Sequence, residues 1–247
     1  SPREIDLITE AGSIVADLFE YLKVHTKAGM STWEIDKLAE KFIRARGGIP
    51  SSKGYDGFPG AICISVNDTL IHGIPSKKII LKDGDIVSYD VLVTYKGYVA
   101  DACRTFPVGE ISPSVQKLID TTRNAFFEAV KLIKPGVHLG DISNKIQETA
   151  EKEGYTLTDM FAGHGVGRDV HEDPYVVNVG TKGTGPILQK GMVIAIEPMV
   201  NEGKVDLDIL DDGWTVKTRD HKLSCHYENT VAVTSDGYEI LTLKEGN

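Results

Sequence analysis

Leu81-Lys-Asp-Gly84-Asp-Ile86-Val87-Ser-Tyr-Asp90 and Leu188-Gln-Lys-Gly191-Met-Val193-Ile194-Ala-Ile-Glu197 are two copies of one pattern. Each has a glycine three residues after its leucine, then a β-branched pair, then an acid nine residues after the leucine. The copies are offset by 107 residues, and so are Gly29 with Gly136 and Gly47 with Gly154. Upstream, Ser1-Pro2-x4-Leu7-Ile8 matches Ser112-Pro113-x4-Leu118-Ile119. A serine followed by proline reads as a helix N-cap with proline at the first helical position. Downstream, Thr105-Phe-x-Val108 follows Asp101 as Thr230-Val-x-Val233 follows Glu228. A duplicated helix-helix-strand-strand unit is expected, its strands joined in one sheet with helices behind it. The fold class is α+β, in a single domain over 1–247 with halves of about 1–111 and 112–247.

Composition permits this. The chain has 247 residues, 41% hydrophobic and 26% charged, enough to bury a core without staples. A net charge of −9 argues against DNA or other nucleic acid as a partner. No apolar run approaches the roughly 18 residues of a membrane span. Met192 to Val200, the longest candidate, is broken by Glu197 and Pro198. Cys63, Cys103 and Cys225 form no C-x-x-C pattern and suit a reducing cytoplasm. No signal peptide is evident, and with Ser1 in first place an initiator or short leader is expected to precede it.

The repeat puts Asp90 and Glu197 at equivalent points, with Asp101 and Glu228 expected as a second equivalent pair on the next strands. If Lys96-Gly97 is a two-residue turn, Tyr95 faces Tyr98, Leu92 faces Asp101 and Asp90 faces Cys103. Asp90 and Asp101 then share a face as diagonal neighbours about 7–8 Å apart. Two buried carboxylates at that distance need a proton or a cation. A single strand acid is ordinarily solvated, but Glu197 lies inside Val193-Ile194-Ala195-Ile196 and Pro198-Met199-Val200, where charge is out of place.

Phe161-Ala-Gly163-His164-Gly165-Val-Gly167 has the glycines of a dinucleotide loop, but no helix-forming stretch follows and Pro174 intervenes. Glycines on both sides of His164 are expected to let other groups approach its imidazole. Four carboxylates balance the charge of two divalent ions. Oxygen ligands with one imidazole suit Mn²⁺, Fe²⁺, Co²⁺ or Zn²⁺ better than Ca²⁺. A paired-metal site activates water and clamps a tetrahedral intermediate, which is hydrolase chemistry.

With these residues assembled, the chain resembles the type I methionine aminopeptidases, in their bacterial short form, over nearly its whole length. The resemblance rests on His72-Gly-Ile-Pro75, Asp90 with Asp101, Gly163-His164-Gly165-x-Gly167, His171-Glu172-x-Pro174, Ile196-Glu197-Pro198-Met199, Asp212-Gly213-Trp214-Thr215 and Tyr227-Glu228-Asn229-Thr230. It implies the pita-bread fold and removal of the initiator methionine from nascent chains and peptides with a small second residue. Asp90 would be a terminal metal ligand, Asp101 and Glu228 would bridge two ions, and His164 and Glu197 would complete the set. Glu197 would also shuttle the proton, His72 contact the scissile amide, and His171 polarise its carbonyl. Tyr55, Phe58, Cys63 and Trp214 would form the methionine slot. Asn67, Thr69 and Ser224 fall where some relatives bind a monovalent cation.

Three positions depart from the family's usual residues: Ser52 at the slot's rim, Asp56, and Val170 before His171. They bear on specificity and inhibitor profile rather than on the ligands. A cytoplasmic monomer is expected, with the ribosome as a partner because nascent chains emerge there; Lys217, Arg219 and Lys222 would form either a small basic patch for that contact or an ordinary solvated face. The alternatives are an X-Pro aminopeptidase or prolidase on the same fold, whose extra domain finds no room here, and a non-catalytic protein-binding relative. The latter would be expected to have lost ligands.

Overall fold

In the computed structural model, which describes residues 1–244, helix α1 (Pro2–His25) begins at the Ser1-Pro2 signal and α3 (Pro113–Val130) at Ser112-Pro113. The expected domain span of 1–247 ends outside the described residues. Ser112 Oγ accepts from Val115 N at 3.3 Å, satisfying one of the free amides of that helix start. Helix α2 (Thr32–Ala45) opens with a reciprocal Ser31–Glu34 cap, and α4 (Leu139–Lys152) opens at His138 with Asp141 accepting from the His138 amide.

The first half carries strands β1 (Ile49–Pro50), β2 (Cys63–Val66), β3 (Thr69–Ile71), β4 (Ile86–Tyr95) and β5 (Tyr98–Pro107). The second carries β6 (Thr156–Leu157), β7 (Ala162–Gly165), β8 (Glu172–Val177), β9 (Val193–Ile196) and β10 (Met199–Asn201). These are followed by β11 (Leu207–Ile209), β12 (Val216–Thr218), β13 (Ser224–His226), β14 (Glu228–Val233) and β15 (Tyr238–Ile240). The main sheet runs β1-β4-β5-β14-β9-β7-β8, with β2 also on β4 and β15 on β14. Its pairings are antiparallel, and the halves meet where Cys103 pairs with Glu228 and Ala102 with Asn229.

The expected duplication recurs bond by bond. Gly29 N donates to Leu81 O and Gly136 N to Leu188 O; Gly84 N donates to Val108 O and Gly191 N to Val233 O. The isolated bridge Ser31↔Ile80 has its counterpart in His138↔Ile187. Each half also has its own core behind the sheet. Leu18, Leu22, Ile35 and Ile43 pack on β4 and β5, while Leu118, Phe126, Ile142 and Ile146 pack on β9 and β14. Each such fully buried side chain contributes about 1.5–3 kcal/mol relative to exposure.

The hairpin register is the expected one: Tyr95↔Tyr98, Leu92↔Asp101 and Asp90↔Cys103. The second half corrects one expectation. Asn229 pairs with Ile196, which sets Glu228 beside Glu197, and Met199 pairs with His226. Glu228 therefore holds the position of Cys103, and the counterpart of Asp101 is His226. Reciprocal bonds agree: Asp101 N donates to Thr230 Oγ1 at 2.9 Å, and His226 N to Thr105 Oγ1 at 3.2 Å. Those hydroxyls donate back to the Asp101 and His226 carbonyls, both at 2.8 Å. Among the described residues no helix is long and apolar enough to cross a membrane.

Candidate active site

Asp90 and Asp101 come from the rigid hairpin, Glu197 from the end of β9, Glu228 from the start of β14 and His164 from β7. All five line one cavity of about 120 Å³. His164 Nε2 lies 3.5 Å from Asp101 Oδ2 and 3.8 Å from Glu197 Oε1. The glycines beside His164 work differently from expectation. A Cβ on Gly163 would stand 2.3 Å from the Ala195 carbonyl oxygen, and one on Gly165 would stand 2.3 Å from that of Asp173. They admit neighbouring backbone, not groups around the imidazole.

The electrostatics are those of an anionic cluster taken out of water. Burial, then the charges of Asp101 and Glu197, push the Asp90 carboxyl well above the carboxylate range. Burial, then Asp101, Glu197 and Asp90, do the same to Glu228. Burial also raises Asp101, against the pull of His164. Burial opposes protonation of His164, but the bond and charge of Asp101 outweigh it and hold the imidazole up at about 9.

Asp90 Oδ1, Asp101 Oδ1 and Glu228 Oε1 are buried without a hydrogen-bond donor. Buried anionic oxygens without donors are costly, and a cation among them removes the cost. The donor set, carboxylate oxygens with one imidazole, fits a divalent metal. Asp101, His164 and Glu228 converge closely enough to hold an ion, and so do Glu197, His226 and Glu228.

Tyr55, Phe58, Cys63, Trp214, His72, Ser52 and Val170 line the same cavity. Phe58 meets Trp214 edge-on, with centroids 5.2 Å apart, and Trp214 meets His72 at 5.9 Å. Asp212 sets Trp214 in place by accepting from the amides of Trp214 and Thr215 at 2.9 and 2.8 Å. His72 sits at φ 57°, and Gly73 follows because any Cβ there would stand 2.2 Å from the Ile64 carbonyl oxygen. Burial lowers the His72 imidazole to about 4. Tyr55, expected only as a wall of the slot, also hydrogen-bonds His171 Nδ1 through its hydroxyl at 2.9 Å.

Outside the cavity, Asp56 is exposed at φ 45°. The Asn67 carbonyl accepts from both Ser224 N and Ser224 Oγ, and Thr69 lies on neighbouring β3. Lys217 pairs with Asp68 and Arg219 with Asp208, both at 2.9 Å, so the face around Lys222 is mixed in charge rather than basic.

Two residues packed behind the site, the half-buried Arg104 and the buried His226, went unnoticed in the sequence. Arg104 donates to the Glu228 carbonyl and the Asn229 side chain and stacks on Tyr227, holding β14 from behind. Its signal was strand parity, three residues after Asp101. His226 Nε2 lies 3.4 Å from Glu197 Oε2 and 3.8 Å from Glu228 Oε2. Its signal was in the Thr105/Thr230 match, which counts back to His226 opposite Asp101.

The model of metallopeptidase family M24 matches residues 6–235. The chain is 48% identical over 242 residues to methionine aminopeptidase 1 of Bacillus subtilis, covering 98% of this chain and 97% of that one. It is 51% identical over 240 residues to a methionine aminopeptidase of Clostridium perfringens, covering 97% and 96%. The crystal structure of methionine aminopeptidase from Thermotoga maritima superposes with a TM-score of 0.97 at 42% identity, covering 99% of this chain and 98% of that one.

Proposed function

The chain belongs to metallopeptidase family M24, and on that premise we propose that it removes the initiator methionine from nascent chains and peptides whose second residue is small. It is a metalloaminopeptidase with methionine aminopeptidase activity. The X-Pro alternative gives way, since relatives matched along nearly their whole length are methionine aminopeptidases. One observation carries the reading: the five metal-ligand candidates and the four slot residues line a single cavity.

In this reading Asp90, Asp101, His164, Glu197 and Glu228 hold two divalent ions, with Mn²⁺, Fe²⁺, Co²⁺ and Zn²⁺ as the candidates. Such ions supply Lewis acidity and make water nucleophilic at neutral pH. The slot of Tyr55, Phe58, Cys63 and Trp214 takes the methionine thioether by apolar packing. Glu197 accepts the proton of the attacking water on a carboxylate oxygen and passes it to the departing nitrogen. His72 contacts that nitrogen. With the Tyr55 hydroxyl donating to His171 Nδ1, the His171 proton sits on Nε2, free to donate to the carbonyl oxygen as charge develops. Three buried thiols suit the cytoplasm, where nascent chains emerge, and a monomer suffices because one chain lines the whole cavity.

The test is hydrolysis of Met-Ala-Ser against Ala-Pro-Ala after metal removal and re-addition. Cleavage of Met-Ala-Ser alone, and only after Mn²⁺, Fe²⁺ or Co²⁺ is restored, is expected. Preference for Ala-Pro-Ala, or full activity without metal, overturns the reading.

A further inference from the structure

His226 is fixed at both ends of its peptide unit. Its amide donates to Thr105 Oγ1, and its carbonyl accepts from Thr105 Oγ1 and Cys103 Sγ. It faces Met199 across the strands, so it occupies in the second half the position that Asp101 occupies in the first. Its side chain is 2% exposed, and Nε2 has no hydrogen-bond partner. Nevertheless Nε2 stands 3.4 Å from Glu197 Oε2 and 3.8 Å from Glu228 Oε2. The cavity is lined by both glutamates and not by His226, so the imidazole lies behind them.

The Glu197 carboxylate has two sides. Oε1 is directed at His164, 3.8 Å away, on the cavity side. Oε2 faces the buried His226 nitrogen. A carboxylate that gives one oxygen to a cation is oriented by a fixed donor on the other. A neutral imidazole with its proton on Nε2 is such a donor, and no change of protonation is required. We propose that His226 is a positioning residue for the metal centre. Its Nε2–H, 3.4 Å from Glu197 Oε2, is placed to close a bond to that oxygen when the carboxylate turns Oε1 to a metal, and it borders Glu228 Oε2, holding the two glutamates of the second half in register with each other. The inference rests on reading those glutamates as ligands of divalent metal.

The experiment titrates Mn²⁺ or Co²⁺ into the metal-free full chain by calorimetry. His226→Leu should bind metal about 10–100-fold more weakly, the usual cost of removing a group that orients a ligand. His226→Gln keeps an N–H donor and should recover most of that loss. With Met-Ala-Ser, kcat should fall in His226→Leu while KM holds. X-ray absorption of the parent loaded with one Co²⁺ should show a single imidazole, that of His164. Two imidazoles would make His226 a ligand and overturn the proposal, as would equal metal affinity in His226→Leu and parent. The parent measurement needs no variant, so a folding failure of His226→Leu does not shelter the proposal. The binding readouts are also independent of peptide cleavage. A chain that binds metal in this His226-dependent way but leaves Met-Ala-Ser intact would defeat the functional reading and leave this assignment standing.

Discussion

The two halves share a frame and differ in what they hang on it. β4 passes to β5 through the turn Lys96-Gly97, a short hairpin whose register is continuous over ten pairs. β9 is separated from β14 by β10 to β13, an excursion that carries Trp214 to the slot. At matching positions the payload differs: Asp90 with Glu197, Asp101 with His226, Cys103 with Glu228. By the same pairing, Ser65 opposite Ser88 corresponds to His164 opposite Ala195. A symmetric scaffold thus holds an asymmetric set of side chains, and with it an asymmetric set of proposed metal ligands. The lesson is that backbone bonds preserve the duplication while side chains diverge.

Exchanging partners across the approximate two-fold axis breaks the comparison hardest. Glu228→Gln or Asp101→Asn should lose metal, measured by atomic absorption, and about 4 kcal/mol or more of transition-state stabilisation, the scale expected when Lewis-acid catalysis fails. Cys103→Ala, at the position matching Glu228, should keep its metal and activity. Equal losses in both would mean that the ligand set follows the symmetry after all. Chelation should also lower Tm, because metal bound to the folded chain stabilises it by about 2.7 kcal/mol at a hundred times Kd.

The contact between Tyr55 of the first half and His171 of the second sharpens it next. His171→Ala should retain metal and lose about 2.7–4 kcal/mol in kcat/KM, as for removal of an oxyanion donor. Tyr55→Phe should lose less, about 1 kcal/mol, because it frees the tautomer without removing the donor. An active His171→Ala would remove the oxyanion role.

What could be read from sequence follows the same division. The 86–107 hairpin was legible to the residue, because a two-residue turn fixes register and alternation then fixes the face. That the four acids and His164 would meet was legible because an acid inside an apolar strand, such as Glu197, must be compensated by a cation or a proton, and all five line one cavity. The equivalence of Asp101 and Glu228 was misread by two residues. β10 leaves the sheet after Glu197 and β13 returns before Glu228, so counting along the chain cannot reveal which residues face each other. The Tyr55–His171 bond, between residues far apart in the chain, had no local signal at all.

The cavity wall offers a smaller test. Val170 and Ser52, one from each half, line the cavity. Val170→Phe should narrow the space beside His171. In Met-X-Ser peptides, X = Val should lose rate relative to X = Ala by about 1–3 kcal/mol, the scale of a methylene mismatch. An unchanged profile would clear Val170 of any part in second-residue selection.

The smallest effect compares α2 with α4, where Glu40 corresponds to Gln147. Glu40 accepts from Lys53 at 2.7 Å and pairs with Arg44 and Lys37, while the uncharged Gln147 donates to the Glu151 carboxylate and accepts from the Gly180 amide. Lys53 first, then Arg44 and Lys37, hold the Glu40 carboxyl at about 2 against an ordinary 4.5, despite some burial. A folded value below the unfolded one adds stability that is complete above about 4.5 and is lost as pH falls from there toward 2. Lys53 is more than one-third exposed, so solvent screening reduces the benefit to about 1 kcal/mol. Urea unfolding should therefore show Glu40→Gln costing about 1 kcal/mol at pH 7 and clearly less at pH 3.5. Gln147→Met should cost a similar amount through lost hydrogen bonds, with no pH dependence from its own side chain. Equal pH profiles for the two variants would show that the ionic cluster on α2 adds nothing beyond what its neutral counterpart supplies.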